Sequence, residues 1–362
     1  MIEMRRHSIH ITPSSRRTLV RPFVPASKYQ VEHILFRAFA IPKKERKQIL
    51  QNACERIEVS SEVIQRIFLR HFSHIEHRIP SNIELSKDDK RFIGAFFTQQ
   101  YALESTALFN PSIVPHPVQD KEGVLRFIIS LRAVGEGHIS SITFMEGEID
   151  ADLNISVAEN SPIVYEPERF EHYYEKELMI KKSHELGILT NLNRKLFDNM
   201  PDEFSYEELT KAINRTFKEN TTVSTEELEV SMNNIRSLAL SNFSLDFTTN
   251  DLTERAIYPA SPSQSNGLED ARFVRFVHDD QHVVYYATFT AYNGKTIMPE
   301  FLETSDFKSF KISTLNGPGA SNKGMALFPR KINGNYMMLG RQDNESLYIM
   351  TTSISGMNTN HC

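Results

Sequence analysis

Residues 267–294 read GLEDARFVRFVHDDQHVVYYATFTAYNG. Two runs rich in Val, Phe, Tyr and Thr, ARFVRFV and HVVYYATFTAY, flank the turn formers Asp279-Asp280, and Asn293-Gly294 closes the second run. β-branched and aromatic residues bounded by turn formers are strand signals. The pattern continues in both directions. Downstream come KISTL, GMALFPRKI, YMMLGR and SLYIMTTS, ending near residue 351, with Asn333-Gly334 as another turn. Upstream, between about 105 and 160, FNPSIVPHP, VLRFIISLRAV and SSITFMEG predict an antiparallel sheet. Short strands at this spacing point to a sandwich, a barrel or a propeller.

Two other stretches read as helix. In residues 27–104, Ser27…Gln30 has capping-box spacing, and Val31, Ile34, Leu35, Ala38 and Phe39 mark one apolar face. Pro42 can open a second helix and Ser86 can cap a third. Residues 166–240 carry capping boxes at Ser205…Glu208 and Ser224…Glu227. Before about residue 26, Arg5, Arg6, Arg16, Arg17 and Arg21 face the single acid Glu3 without helical period. That segment reads as a solvated arm, or as one reaching an anionic substrate or a neighbouring subunit. The expected division is an N-terminal arm and helical region, 1–104, and a sheet domain, 105–362, with a helical insertion at about 166–240.

Composition excludes several classes. The 362 residues carry 41 basic and 46 acidic side chains, a net charge of −5, which argues against a nucleic-acid partner. Two cysteines, Cys54 and Cys362, make no disulfide framework. No apolar run is long enough for a membrane span and the first residues hold no signal-peptide core, so a cytoplasmic protein is expected. HExxH, CxxC, GxSxG and P-loop spacings are absent. His71, His74 and His77 have metal-like spacing, but on a helix the outer two lie about 240° apart, so no metal site is expected.

Three polar clusters interrupt the strands. The first runs from Glu104-Ser105 through Asn110-Pro111-Ser112 and is followed by Arg132. The second is Asn266-Gly267-Leu268-Glu269-Asp270-Ala271-Arg272. The third joins Asn322-Lys323-Gly324 to Arg341-Gln342-Asp343-Asn344-Glu345. In the order FNPS, SLRAVGEG, GLEDARFVRF with YYATFTAYNG, and NKGMALFPRKINGNYMMLGR, they resemble glycoside hydrolase family 130 from about residue 104 to 350, apart from the helical stretch. That family contains β-mannoside phosphorylases and β-1,2-mannosidases.

The resemblance implies a five-bladed β-propeller with helical additions, the sugar lying in the axial funnel. It implies that Asp270 is the general acid, acting through the 3-hydroxyl of the mannose. Ala271 stands where the family usually has proline. By the same resemblance Asn110, Arg132, Glu269, Arg272, Tyr292 and Asp343 contact the sugar, and Asn322, Lys323 and Arg341 hold phosphate. Phosphate is then a co-substrate, with no other cofactor, and a β-mannoside oligosaccharide is the second partner. The helical additions could form homo-oligomer contacts.

The chemistry of cleavage fits these residue types. A glycosidic bond needs a proton on its leaving oxygen and an oxocarbenium-like transition state needs charge stabilisation. A phosphorylase needs cations to hold its anionic nucleophile, and Arg is suited to that by its fixed donor fork. Inverting hydrolysis is the alternative, with Asp343 or Glu345 as base. A further alternative is an incomplete, inactive propeller, because family members continue past the segment matching SLYIMTTS, whereas here only SISGMNTNHC, without strand pattern, follows.

Overall fold

The computed structural model describes residues 7–57, 61–219, 223–353 and 358–361. Arg5, Arg6 and Cys362 lie outside them. The arm is not simply solvated: β1 (Thr18–Pro22) lies inside a three-stranded sheet. Burial of Arg17 explains why. Its Nη1 donates to Glu104 Oε1 at 2.8 Å and its Nη2 to the Thr253 carbonyl, with both partners of the ion pair essentially inaccessible. A buried charge needs a partner and hydrogen bonds, and Arg17 has both.

Four helices follow: α1 (Lys28–Ala40), α2 (Lys43–Arg56), α3 (Ser61–Ser73) and α4 (Lys87–Phe96). The apolar face of α1, Val31, Ile34, Leu35 and Ala38, packs on Phe72, Ile75, Phe92 and Ile93. Ser86 forms a complete capping box with Asp89, whereas the Ser27 side chain makes no cap bond. Helix does not extend to 104. β2 (Thr98–Ala102) pairs antiparallel with β1. On its other side β1 pairs in parallel with a strand at 163–165, so the expected boundary at 104/105 cuts through one sheet.

The next element is an antiparallel meander of β3 (Ala107–Pro115), β4 (Leu125–Val134), β5 (Ser140–Ile149) and β6 (Ile155–Val157). After β7 (Ile163–Tyr165), β8 (Glu168–Glu171) and β9 (Tyr174–Glu175) comes the insertion: α5 (Lys176–Glu185), α6 (Asn191–Asp198), β10 (Glu203–Phe204), α7 (Tyr206–Glu219) and α8 (Thr225–Leu240). Its core is its own, built on Leu196, Phe197, Leu209, Ile213, Met232 and Ile235. Lys182 ties it to the sheet by donating to the Leu315 carbonyl at 2.6 Å.

β11 (Phe243–Asp246) and β12 (Ala256–Ile257) lead to a second meander, β13 (Gly267–Val277), β14 (Val283–Tyr292), β15 (Ile297–Thr304) and β16 (Ser309–Thr314). The third is β17 (Ala326–Leu327), β18 (Tyr336–Gly340), β19 (Tyr348–Ser353) and β20 (Asn358–His361). β20 corrects the reading of the tail: its polar residues form an edge strand, which needs backbone pairing on one side only and no apolar face.

The meanders pack face on face. Val114, Ile128 and Phe144 of the first meet Phe273, Tyr285, Phe307 and Phe310 of the second. Phe276, Tyr286 and Phe301 of the second meet Leu327, Tyr336, Met338 and Met350 of the third. Each such buried side chain contributes about 1.5–3 kcal/mol. The first two meanders also join edgewise at one point, Gly267 to Ser140. There Gly267 has φ 129°, and a Cβ would sit 2.3 Å from Ser140 Oγ, so no other residue fits. The sheets form a mixed, β-rich architecture with helices and do not close into a ring among the described residues.

Candidate active site

Strands β3 and β13 each break register once. The pairing shifts between Phe109 and Ser112 on β3 and between Glu269 and Arg272 on β13. A bulge adds a residue on one strand and re-aims its side chain. At each bulge one residue has left-handed backbone, Asn110 with φ 52° and Asp270 with φ 55°. Asn and Asp tolerate that region better than other side-chain-bearing residues. The two side chains meet: Asn110 Nδ2 donates to Asp270 Oδ1 at 2.5 Å.

Around this contact lies a small charge network. Arg132, on β4 opposite Phe109, donates to Asp270 Oδ1 at 3.3 Å and to Glu269 Oε1 at 2.8 Å. Its guanidinium carbon stands 5.2 Å from the Phe109 ring centroid, within cation–π range. Lys323 approaches Glu269 Oε2 at 3.6 Å. Two carboxylates and two cations from all three meanders thus converge. Arg272 braces the bulges by donating to the Pro111 carbonyl at 3.3 Å.

Asp270 and Lys323 line a small cleft with Thr288, Phe289, Thr290, Pro299, Gly324 and Met325. Thr288 donates to the Met325 carbonyl at 2.5 Å, which fixes the third meander's loop against the second. Arg341 Nε donates to the Lys323 carbonyl at 3.4 Å and lies against Gly324, where an added Cβ would be 2.8 Å from Nε. Asn322, also left-handed at φ 64°, donates to the Gln342 carbonyl at 3.3 Å. Its side chain therefore shapes the loop in this structure.

Tyr292 and Asp343 are not part of the network. The Tyr292 carbonyl accepts from Asn266 N at the end of β14, where Tyr292 pairs with Gly267. Asp343 is exposed and accepts from Tyr348 Oη at 2.6 Å and from the amides of Ser346 and Glu345. Those bonds, the Tyr348 hydroxyl foremost, hold its carboxyl below the ordinary range. Glu104, from the first polar cluster, is likewise elsewhere, committed to Arg17.

Among the described residues, no group of three His, Cys, Asp or Glu side chains could hold a metal ion. His71 is buried and shares a hydrogen bond with Thr98 Oγ1 at 2.7 Å; burial pushes its pKa down to about 3. A much larger cavity, about 1080 Å³, lies between α2, α3 and α4. Two of its acids, Asp89 and Asp88, are already paired with Arg46 and Arg91. Charged side chains converge instead beside the small cleft at Asp270, which is the better candidate for chemistry.

No family model matches the chain, and no curated protein does. Solved structures similar to it include glycoside hydrolases and a mannoside phosphorylase. One is described with the GH130 family of mannoside phosphorylases, which contains hydrolases that target β-1,2 mannosidic linkages in Candida mannan. It is 14% identical over 73% of this chain and 50% of its own, with a TM-score of 0.33. A β-1,2-mannobiose phosphorylase from Listeria innocua is 18% identical over 70% of this chain and 57% of its own, TM-score 0.27. A glycosyl hydrolase from Bacteroides ovatus is 11% identical over 73% and 52%, TM-score 0.34. The chain spans about half the length of these structures.

Sequence reasoning missed the walls of the cleft. Thr288 and Thr290 are buried at 4% and 3% exposure on a strand otherwise apolar on that stretch. Two threonines two apart share one strand face. That spacing in YYATFTAY was the available signal. Phe109 was visible only as part of FNPS; it stacks on Arg132, its cross-strand partner.

Proposed function

We propose that the chain carries the acid and the anion site of an inverting β-mannoside phosphorylase. The reaction is β-mannoside plus phosphate to α-mannose 1-phosphate plus a shortened acceptor sugar. The observation that carries this reading is the position of Asp270: its carboxylate is held by Asn110 and Arg132, and Lys323 stands beside it across the same cleft. An acid fixed by two donors can deliver its proton at one place, and the adjacent cation can bind the incoming anion. Phosphate brings its own charge as nucleophile, so no second carboxylate is required.

An inverting hydrolase would need a second carboxylate about 6.5–9.5 Å from the acid, with room for water. Asp343, one candidate for that base, is tied into its own loop. In this reading the three meanders are blades of a five-bladed propeller, with Asn110 and Asp270 on the first strands of two of them. A cytoplasmic location fits the two-cysteine composition, and no helix among the described residues is long and apolar enough to cross a membrane.

The test is incubation with β-mannobiose, with and without inorganic phosphate, followed by product analysis. α-Mannose 1-phosphate formed only with phosphate supports the reading. Free mannose released at the same rate in both overturns phosphorolysis in favour of hydrolysis. No cleavage in either arm overturns the catalytic reading of this chain.

A further inference from the structure

We propose that Glu269 sets the strength of the anion site by occupying Lys323 when no anion is bound. This rests on the phosphate reading above. Glu269 sits on β13 immediately before the bulge, with its side chain 17% exposed. Its two oxygens serve different partners. Oε1 takes the close bond from Arg132 at 2.8 Å, and Oε2 faces Lys323 Nζ at 3.6 Å.

The two contacts are unequal. Arg132 is 19% exposed and holds Glu269 at hydrogen-bond length, so the carboxylate cannot follow a departing lysine. Lys323 is 41% exposed and its contact exceeds hydrogen-bond length. The Lys323 carbonyl accepts from Arg341 Nε at 3.4 Å, a contact the ammonium end can leave unchanged when it moves. An anion that engages Lys323 must therefore displace it from Glu269, and the same carboxylate repels the anion. Both effects weaken anion binding. Glu269 is thus a positioning residue that acts through Lys323.

Removing the charge should tighten the anion site. A pair this exposed is worth up to about 1 kcal/mol, which corresponds to a roughly two- to fivefold change in affinity. Titration calorimetry of the full chain with inorganic phosphate tests it, using Glu269→Gln, Lys323→Gln and the double variant. Glu269→Gln should lower the dissociation constant roughly two- to fivefold, Lys323→Gln should raise it, and the double variant should gain less over Lys323→Gln than Glu269→Gln gains over the unaltered chain. A purely structural role would not make the gain depend on Lys323. Glu269→Asp, one methylene shorter, withdraws from Lys323 and should give a smaller gain; it decides the matter if the Gln variant does not fold. Equal or weaker binding by the Glu269 variants, with Lys323→Gln still harmful, overturns the inference alone. No phosphate binding by the unaltered chain overturns the phosphate reading as well.

Discussion

Asn110 donates to Asp270 across 2.5 Å, and each residue sits with left-handed backbone at the single bulge of its own strand. The bond therefore links two distortions rather than two regular strands. Its loss would leave Asp270, among the described residues, with only Arg132 as a side-chain donor, at 3.3 Å. Asn110→Ala is expected to cost about 10²-fold in kcat/KM on a mannobiose substrate through misplacement of the acid. Asp270→Asn keeps the shape but not the proton, and should cost about 10²–10⁴-fold in kcat. Steady-state kinetics on folded variants checks both. Retained activity in Asp270→Asn would remove Asp270 from the acid role.

The two bulges also suggest a stabilising change. Asn110 at φ 52° is followed by Pro111, while Asp270 at φ 55° is followed by Ala271. Neither Asp270 nor Ala271 has a cross-strand partner in the register of β13 with β14. Proline at 271 therefore copies an arrangement that this chain already adopts at 111. Ala271→Pro is expected to stabilise by about 0.4–1 kcal/mol by restricting the unfolded chain. Thermal unfolding should show a midpoint about 1–3 °C higher. A lowered midpoint would mean that the second bulge differs from the first in its need for an amide.

The strands of the three meanders were legible because alternation and turn formers are local signals. FNPS, SLRAVGEG, GLEDAR and NKG were legible as polar breaks in the strand pattern, and the structure brings Asn110, Arg132, Glu269, Asp270 and Lys323 together from them. Backbone geometry was not legible. Nothing periodic announces a bulge, so the direct contact of Asn110 with Asp270, 160 residues apart, could not be read from spacing. Nor could β1. TLVRP follows an arginine-rich segment, and it is a strand because β2 and β7 pair with it from far along the chain. Arg17 looked like a solvated charge because its partner Glu104 is 87 residues away.

That pair gives a third prediction. Arg17 and Glu104 are almost wholly buried, and burial raises the Glu104 carboxyl above its ordinary pKa while Arg17 pulls it back. Removing one partner leaves the other charge stranded. Glu104→Gln is expected to destabilise by about 3–5 kcal/mol in urea unfolding. A double replacement by apolar residues of similar volume, Arg17→Met with Glu104→Leu, should recover most of that loss. If the double variant is as unstable as the single, the pair is worth more than its desolvation.

Glu300 supplies a pH dependence. It is fully buried on β15, accepts from Gln264 Nε2 at 2.6 Å and Ser263 Oγ at 2.7 Å, and lies near Lys182. Burial pushes its pKa from 4.5 up to about 7, against the opposing pull of those neighbours. The folded state thus holds this proton more tightly than the unfolded chain does. Between about pH 4.5 and 7 the unfolded form has released it and the folded form has not, so stability falls as pH rises through that window and levels off above it. The contribution of this one group is at most about 3 kcal/mol. Glu166 is also raised to about 7 by burial and adds a slope of the same sign, so the wild-type profile alone cannot isolate Glu300. The difference between Glu300→Gln and wild type can. The amide that replaces the carboxyl can still accept from Gln264 and can donate to Ser263, which preserves both bonds without a titrating proton. The variant should gain stability relative to wild type as pH rises from 4.5 to 7.5, measured by thermal unfolding across the range. A difference that stays flat with pH would mean that Glu300 ionises alike in both states.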